Sequence, residues 1–316
     1  MTHSVLYEKP AYYLTDGGLE TTLIFENEID LPLFAAFPLI ETPQGQETLR
    51  AYFEQYIEIA RSAGCGFVLE SATWRSSPDW GKQLDCDGDR LNDVNQRHIE
   101  LLRGLRDTHA SARLPMIISG CVGPRGDGYN PGQVMTHAEA TAYHAQQIQS
   151  FAQAGVDMIS AITMTNTPEA LGIVTAARAA NVPCVISFTV ETDGHLPTGQ
   201  SLADAIAAVD QETNAYPSYY MINCAHPTHF AHRIEAGAGW TSRIGGIRAN
   251  ASCKSHAELD EAETLDRGCP HDLGAAYADL ARQFPNLRVL GGCCGTDKAH
   301  IQAIAKSVVS GELVPT

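Results

Sequence analysis

Eight short apolar runs recur along the 316-residue chain, each followed by a longer stretch of helical period. The runs cover residues 11–15, 66–70, 115–119, 156–161, 183–189, 219–223, 243–247 and 287–290. Between the first two, Leu49, Tyr52, Phe53, Tyr56, Ile57 and Ala60 share one face of a helix predicted over residues 46–64, and residues 91–105 repeat the pattern. Thr167 ahead of Pro168 marks a capped helix start, and Ser201 with Asp204 resembles a capping box. Alternating strands and helices in this number close most simply into a (β/α)8 TIM barrel, with residues 1–316 forming one domain. An open dinucleotide-binding sheet would need G-x-G-x-x-G after its first strand, and the stretch from Asp16 to Thr21 reads Asp-Gly-Gly-Leu-Glu-Thr instead. In a barrel, the irregular stretches 71–89, 121–136 and 249–272 become loops of the catalytic face.

Charge narrows the partners. With 37 acidic against 21 basic side chains the formal net charge is −16, and no cluster of Lys and Arg stands out to bind nucleic acid or an anionic membrane. No run of 18 apolar residues could span a bilayer, and the first 14 residues lack the basic start and apolar core of a secretory signal. These features predict a cytoplasmic protein with small-molecule partners. Nine cysteines are then better read as reduced thiols, metal ligands or catalytic groups than as a disulfide framework.

The most informative string is Gly-Gly-Cys-Cys-Gly-Thr at residues 291–296, at the end of the eighth predicted strand. Glycine removes the Cβ obstruction and permits positive φ, so such a backbone can aim two thiolates at one centre. Asn223-Cys224 ends the sixth predicted strand and reaches the same rim of a barrel, which makes three converging sulfurs. Zinc takes thiolates in tetrahedral geometry and, in catalytic sites, keeps a fourth position open. Three thiolates leave the divalent ion a mild Lewis acid, suited to activating a substrate thiol.

These residues carry a family resemblance. Asp16-Gly17-Gly18, Val122-Gly123-Pro124, Ser187-Phe188-Thr189, Asn223-Cys224 and the Gly-Gly-Cys-Cys-Gly-Thr string together resemble the homocysteine S-methyltransferase family over nearly the whole chain. The resemblance implies a zinc-containing barrel that methylates homocysteine to methionine. It makes Cys224, Cys293 and Cys294 the zinc ligands and places Asp16, Gly17 and Gly18 beside the acceptor. Thr163 and Asn166 match the family's Glu-Thr-x-Pro-Asn motif, but its acidic residue, which holds the ammonium of homocysteine, is Ile162 here. Either another carboxylate takes over, with Glu20, Glu70 and Glu191 as candidates, or the acceptor is a different small thiol without that amine.

For the methyl donor, a quaternary ammonium or sulfonium is well held by aromatic faces, and Trp74 follows the second strand, with Trp80 and Tyr129 in comparable loops. The expected donor is of the S-methylmethionine, S-adenosylmethionine or betaine type. Bland roles go to the remaining chemistry-bearing residues: Cys65, Cys121 and Cys184 as packing, Cys86, Cys253 and Cys269 as incidental loop thiols, and His226, His229 and His232 as surface or packing groups. The alternatives to a methyltransferase are a zinc hydrolase and a thiol-based metal or redox sensor using Cys293 and Cys294.

Overall fold

The apolar runs pair in chain order. The computed structural model describes residues 11–235, 238–262 and 264–310, so most of the stretch read for a secretory signal lies outside the described residues. The strands are β1 (Tyr13–Leu14), β2 (Gly66–Glu70), β3 (Met116–Val122), β4 (Met158–Met164), β5 (Cys184–Phe188), β6 (Tyr220–Asn223), β7 (Ile244–Ala249) and β8 (Val289–Gly292). All neighbours are parallel, and β8 returns to β1 with Tyr13 opposite Val289, which closes a (β/α)8 barrel. No helix among the described residues is long and apolar enough to cross a membrane.

Several boundaries differ from the apolar runs for one physical reason. Strands β3, β4, β7 and β8 continue two or three residues further, through Gly120, Thr163, Arg248 and Gly291 among others. A parallel ladder pairs backbone whatever the side chain, and this end of the barrel interior takes small and polar groups. The cap predicted at Thr167 moves back one residue: Asn166 Oδ1 accepts from the Glu169 N–H at 2.9 Å, and Thr167 is the first residue of the helix Thr167–Ala179.

Apolar side chains fall into two layers. Outside the strands, Phe67 and Leu69 pack against Leu49, Phe53 and Ile57 of the helix Pro43–Ala63, all at most 1% exposed. Each such side chain contributes roughly 1.5–3 kcal/mol. Inside the barrel lie Val68, Ile117, Met158, Val185, Met221 and Val289. Alternate strand residues share a face, so the next inward positions are Glu70, Ser119, Ser160, Ser187, Asn223 and Arg248. They form a buried polar belt in which the Ser119 and Ser160 hydroxyls meet at 2.7 Å and Ser187 donates to Asn223 Oδ1 at 2.6 Å. The belt is the floor of the functional site.

One buried group gives the fold a pH signature. His98, in the helix Gly88–His109, donates from Nε2 to the Phe37 carbonyl at 2.9 Å, and burial pushes its pKa down to about 4. Because the folded value lies below the unfolded value of about 6.5, the unfolded chain takes the proton first as pH falls. The stability held by neutral His98 is whole above that value and is lost between about pH 6.5 and 4. The stability advantage of the natural chain over His98→Gln, measured by urea unfolding, is expected to shrink by about 2 kcal/mol between pH 7 and pH 5. A pH-independent difference would contradict this.

Candidate metal centre and substrate cavities

Strand β7 brings the distant cysteines together. The Cys224 N–H donates to Arg248 O at 3.1 Å and the Cys293 N–H to Ala249 O at 2.8 Å, so the chain leaving β6 and the chain leaving β8 are pinned to the end of the strand between them. The sulfurs of Cys224, Cys293 and Cys294 lie within 4.8 Å of one another. Cys224 and Thr163 both have left-handed backbones, at φ 52° and 67°, a strained conformation for side-chain-bearing residues that the surrounding contacts must hold.

The glycines of the string divide the two properties expected of them. Among those of the Gly-Gly-Cys-Cys-Gly-Thr string only Gly295 has positive φ. Gly291 and Gly292 are required by close approach instead: a Cβ on the first would strike Thr15 Oγ1 and on the second Thr296 Oγ1.

Each sulfur faces one donor from outside the trio. Asn223 Nδ2 faces Cys293 Sγ at 3.9 Å, Thr163 Oγ1 faces Cys224 Sγ at 3.9 Å, and the Tyr129 hydroxyl faces Cys294 Sγ at 3.7 Å. Asn223 also takes the Thr163 N–H on Oδ1 at 2.9 Å and donates to Thr163 Oγ1 at 2.8 Å, fixing the second donor with the first. Behind the trio, His256 Nε2 donates to Cys224 O at 2.7 Å and its ring stacks on Tyr129 at 4.0 Å. Thiol hydrogen bonds from Cys224 and Cys294 pull Cys293 well below the usual thiol range. Cys224 is pushed up by its own bonds to Cys293 and Cys294 and by burial.

This donor set fits a thiophilic divalent ion. Zinc–thiolate bonds of about 2.3 Å in tetrahedral array separate ligand sulfurs by roughly 3.8 Å, so the trio would close by no more than about 1 Å.

Two cavities meet at the sulfurs. A small one of about 80 Å³, toward the barrel floor, is lined by Asp16, Glu20, Glu70, Ile162 and Arg248. A larger one of about 300 Å³ lies between Phe34, Tyr129, Asp127 and Asp260. Thr21, Phe34, Trp74, Thr163, Cys224 and Cys294 belong to both. Trp74 is anchored by its indole N–H to Ile162 O at 3.1 Å, and its fit explains the Val-Gly-Pro motif, since a Cβ on Gly123 would collide with it.

Below the small cavity sits a buried ion cluster that the sequence reading did not anticipate. Arg248 donates to Asp16 Oδ1 at 2.7 Å, to Glu70 Oε2 and to Gly292 O at 3.1 Å. Asp16 takes the Tyr52 hydroxyl on its other oxygen at 3.0 Å, and burial pushes its pKa up to about 6 against the pull of Arg248. Burial also raises Glu20, to about 7, with Cys293 and Asp16 adding.

Other sequence candidates lie elsewhere. Asn166 is committed to its helix start and lines neither cavity, while Trp80 stacks on Arg75, 3.7 Å from its ring centre. Glu191 faces His256 at 3.1 Å and lies outside both cavities. Cys65 and Cys184 are buried as expected, and Cys121 is buried on the wall of the small cavity; Cys86, read as a loop thiol, is buried too, and Cys253 and Cys269 are exposed. His226 caps the short helix Pro227–Phe230 and His229 bonds Cys253 O, away from the trio.

Residues 13–308 match the family described as homocysteine S-methyltransferase. The chain belongs to that family. It is 24% identical to homocysteine S-methyltransferase 1 of Arabidopsis thaliana, over 93% of each chain. Against the Escherichia coli homocysteine S-methyltransferase it is also 24% identical, covering 95% of this chain and 96% of that one. The fold matches the oxidised form of the E. coli homocysteine methyltransferase MmuM with a TM-score of 0.73 at 21% identity, covering 96% and 98% of the two chains. The metallated form of the same protein gives 0.70 at 22%, covering 94% and 96%. As a member of a methyltransferase family, the protein acts on small molecules, and its cysteine trio is a site where a metal can be held.

The ion cluster makes a stability prediction. Arg248→Met leaves two buried carboxylates without their counter-charge and is expected to cost about 3–5 kcal/mol in urea unfolding. A loss under about 1 kcal/mol would contradict the role of Arg248 as counter-charge to Asp16 and Glu70.

Proposed function

We propose that the protein methylates the sulfur of homocysteine, forming methionine, with an onium compound of the S-methylmethionine, S-adenosylmethionine or betaine type as donor and zinc held by Cys224, Cys293 and Cys294. The observation that carries this reading is the position of the sulfur trio at the junction of a small acidic cavity and a larger aromatic one. Zinc in this site would supply thiol activation at neutral pH.

The chain's own residues do the rest. The small cavity takes the acceptor between Asp16, Gly17, Gly18 and Glu20 on one side and Thr163 on the other, with Asn223 supporting both Thr163 and Cys293 from beneath. Trp74, Phe34 and Tyr129 present aromatic faces to a cationic donor in the larger cavity, beside Asp127 and Asp260. The acceptor sulfur forms its bond to the methyl carbon as the donor's S–C or N–C bond breaks, and that electron pair leaves on the donor heteroatom. The leaving group departs neutral, so alignment and exclusion of water suffice. Among the described residues no histidine lines either cavity, in keeping with a reaction that needs no general acid. The barrel works as one domain, and its free thiols suit a reducing compartment such as the cytoplasm.

Cys293→Ala is expected to abolish stoichiometric zinc and to reduce methyl transfer by more than the roughly 10–100-fold that loss of a supporting residue costs. Cys269→Ala, exposed and outside both cavities, keeps both. Zinc content per chain and methionine formation from homocysteine with each donor check this, and a Cys293→Ala protein that retains metal and turnover would refute the reading.

A further inference from the structure

We propose that Glu20 reads a positively charged group on the acceptor, which makes that acceptor an amino thiol. The inference rests on the reading of the small cavity as the acceptor site. That cavity is lined by three carboxylates, Asp16, Glu20 and Glu70, against one guanidinium, Arg248.

The partners of these four groups separate them into a fixed set and a free one. Arg248 spreads its five donors over Asp16, Glu70 and the carbonyls of Gly292 and Gly17. Asp16 fills its second oxygen with Tyr52, and Glu70 takes the Ser119 hydroxyl at 3.4 Å. Those three side chains are 4–8% exposed and form a strut joining β1, β2 and β7. Glu20 stands apart: among the described residues its carboxylate has no ion pair and no hydrogen bond to another side chain.

An unpaired carboxylate in a confined space already rich in acid asks for a cation. It lines the small cavity and not the larger one, so the cation arrives with the thiol and not with the methyl donor. Ile162, also on the wall of this cavity, offers the thiol's methylene chain an apolar surface and competes for no charge. The acid-to-guanidinium imbalance equally disfavours a thiol whose only charge is a carboxylate.

The test compares homocysteine with 4-mercaptobutanoate, its counterpart lacking the amine, by titration calorimetry on the zinc-loaded full chain. The natural protein is expected to bind homocysteine about ten-fold or more tightly than the desamino thiol. Glu20→Gln is expected to bring that ratio within about two-fold, and Glu20→Asp, which keeps the charge one methylene further back, to hold an intermediate ratio. Equal affinities in the natural chain, or an undiminished ratio in Glu20→Gln, would overturn the assignment of Glu20 while leaving the acceptor site in place. Binding of neither thiol would overturn both.

Discussion

Three sulfurs confined within 4.8 Å at the mouth of a barrel are the constraint on which the rest of the site depends. As thiolates in a low-dielectric setting they would repel by several kcal/mol per pair. Thiol hydrogen bonds from Cys224 and Cys294 hold the Cys293 thiol below its usual range. The surroundings are built for the charged form: a donor for each sulfur from Asn223, Thr163 and Tyr129, and left-handed backbone at Cys224 and Thr163 that a less constrained loop would relax. Strained backbone persists where many contacts over-determine it, and here the contacts converge on the metal-binding atoms.

Closure of the barrel and the chemistry of its mouth are the same problem. The seam strand β1 has only two residues, so its ladder to β2 and β8 is short. The Arg248 cluster fastens that region from inside by tying β7 to the carboxylates after β1 and at the end of β2. Buried ion clusters of this kind often return little net stability against their desolvation cost, yet they are severe to break. Position is what this one secures: Arg248 O takes the Cys224 N–H, so the residue that organises the acid groups also holds a metal-binding cysteine in place.

Much of this was legible in the sequence. Periodicity located all eight strands, and the adjacent cysteines with Cys224 located the centre, because both signals are carried by neighbouring residues. Arg248 was missed because its charge looks like the end of an apolar run, and the seventh run was closed at Ile247, one residue short. Its partners lie 178 and 232 residues away, a separation that no local pattern encodes. Asn166 is the opposite case: it matches a family motif, and only the geometry shows its side chain committed to starting a helix. Tyr129 was visible only as an aromatic in a suitable loop, since its approach to Cys294 depends on the stack against His256.

X-ray absorption at the zinc edge tests the central claim most directly, because it counts the sulfur atoms around the metal without reference to turnover. One zinc per chain with three sulfur neighbours in the natural protein, and in Cys224→Ser either loss of that zinc or a sulfur count of two, is the predicted result. Zinc surrounded by nitrogen and oxygen alone, or a sulfur count indifferent to the loss of Cys224, would contradict it.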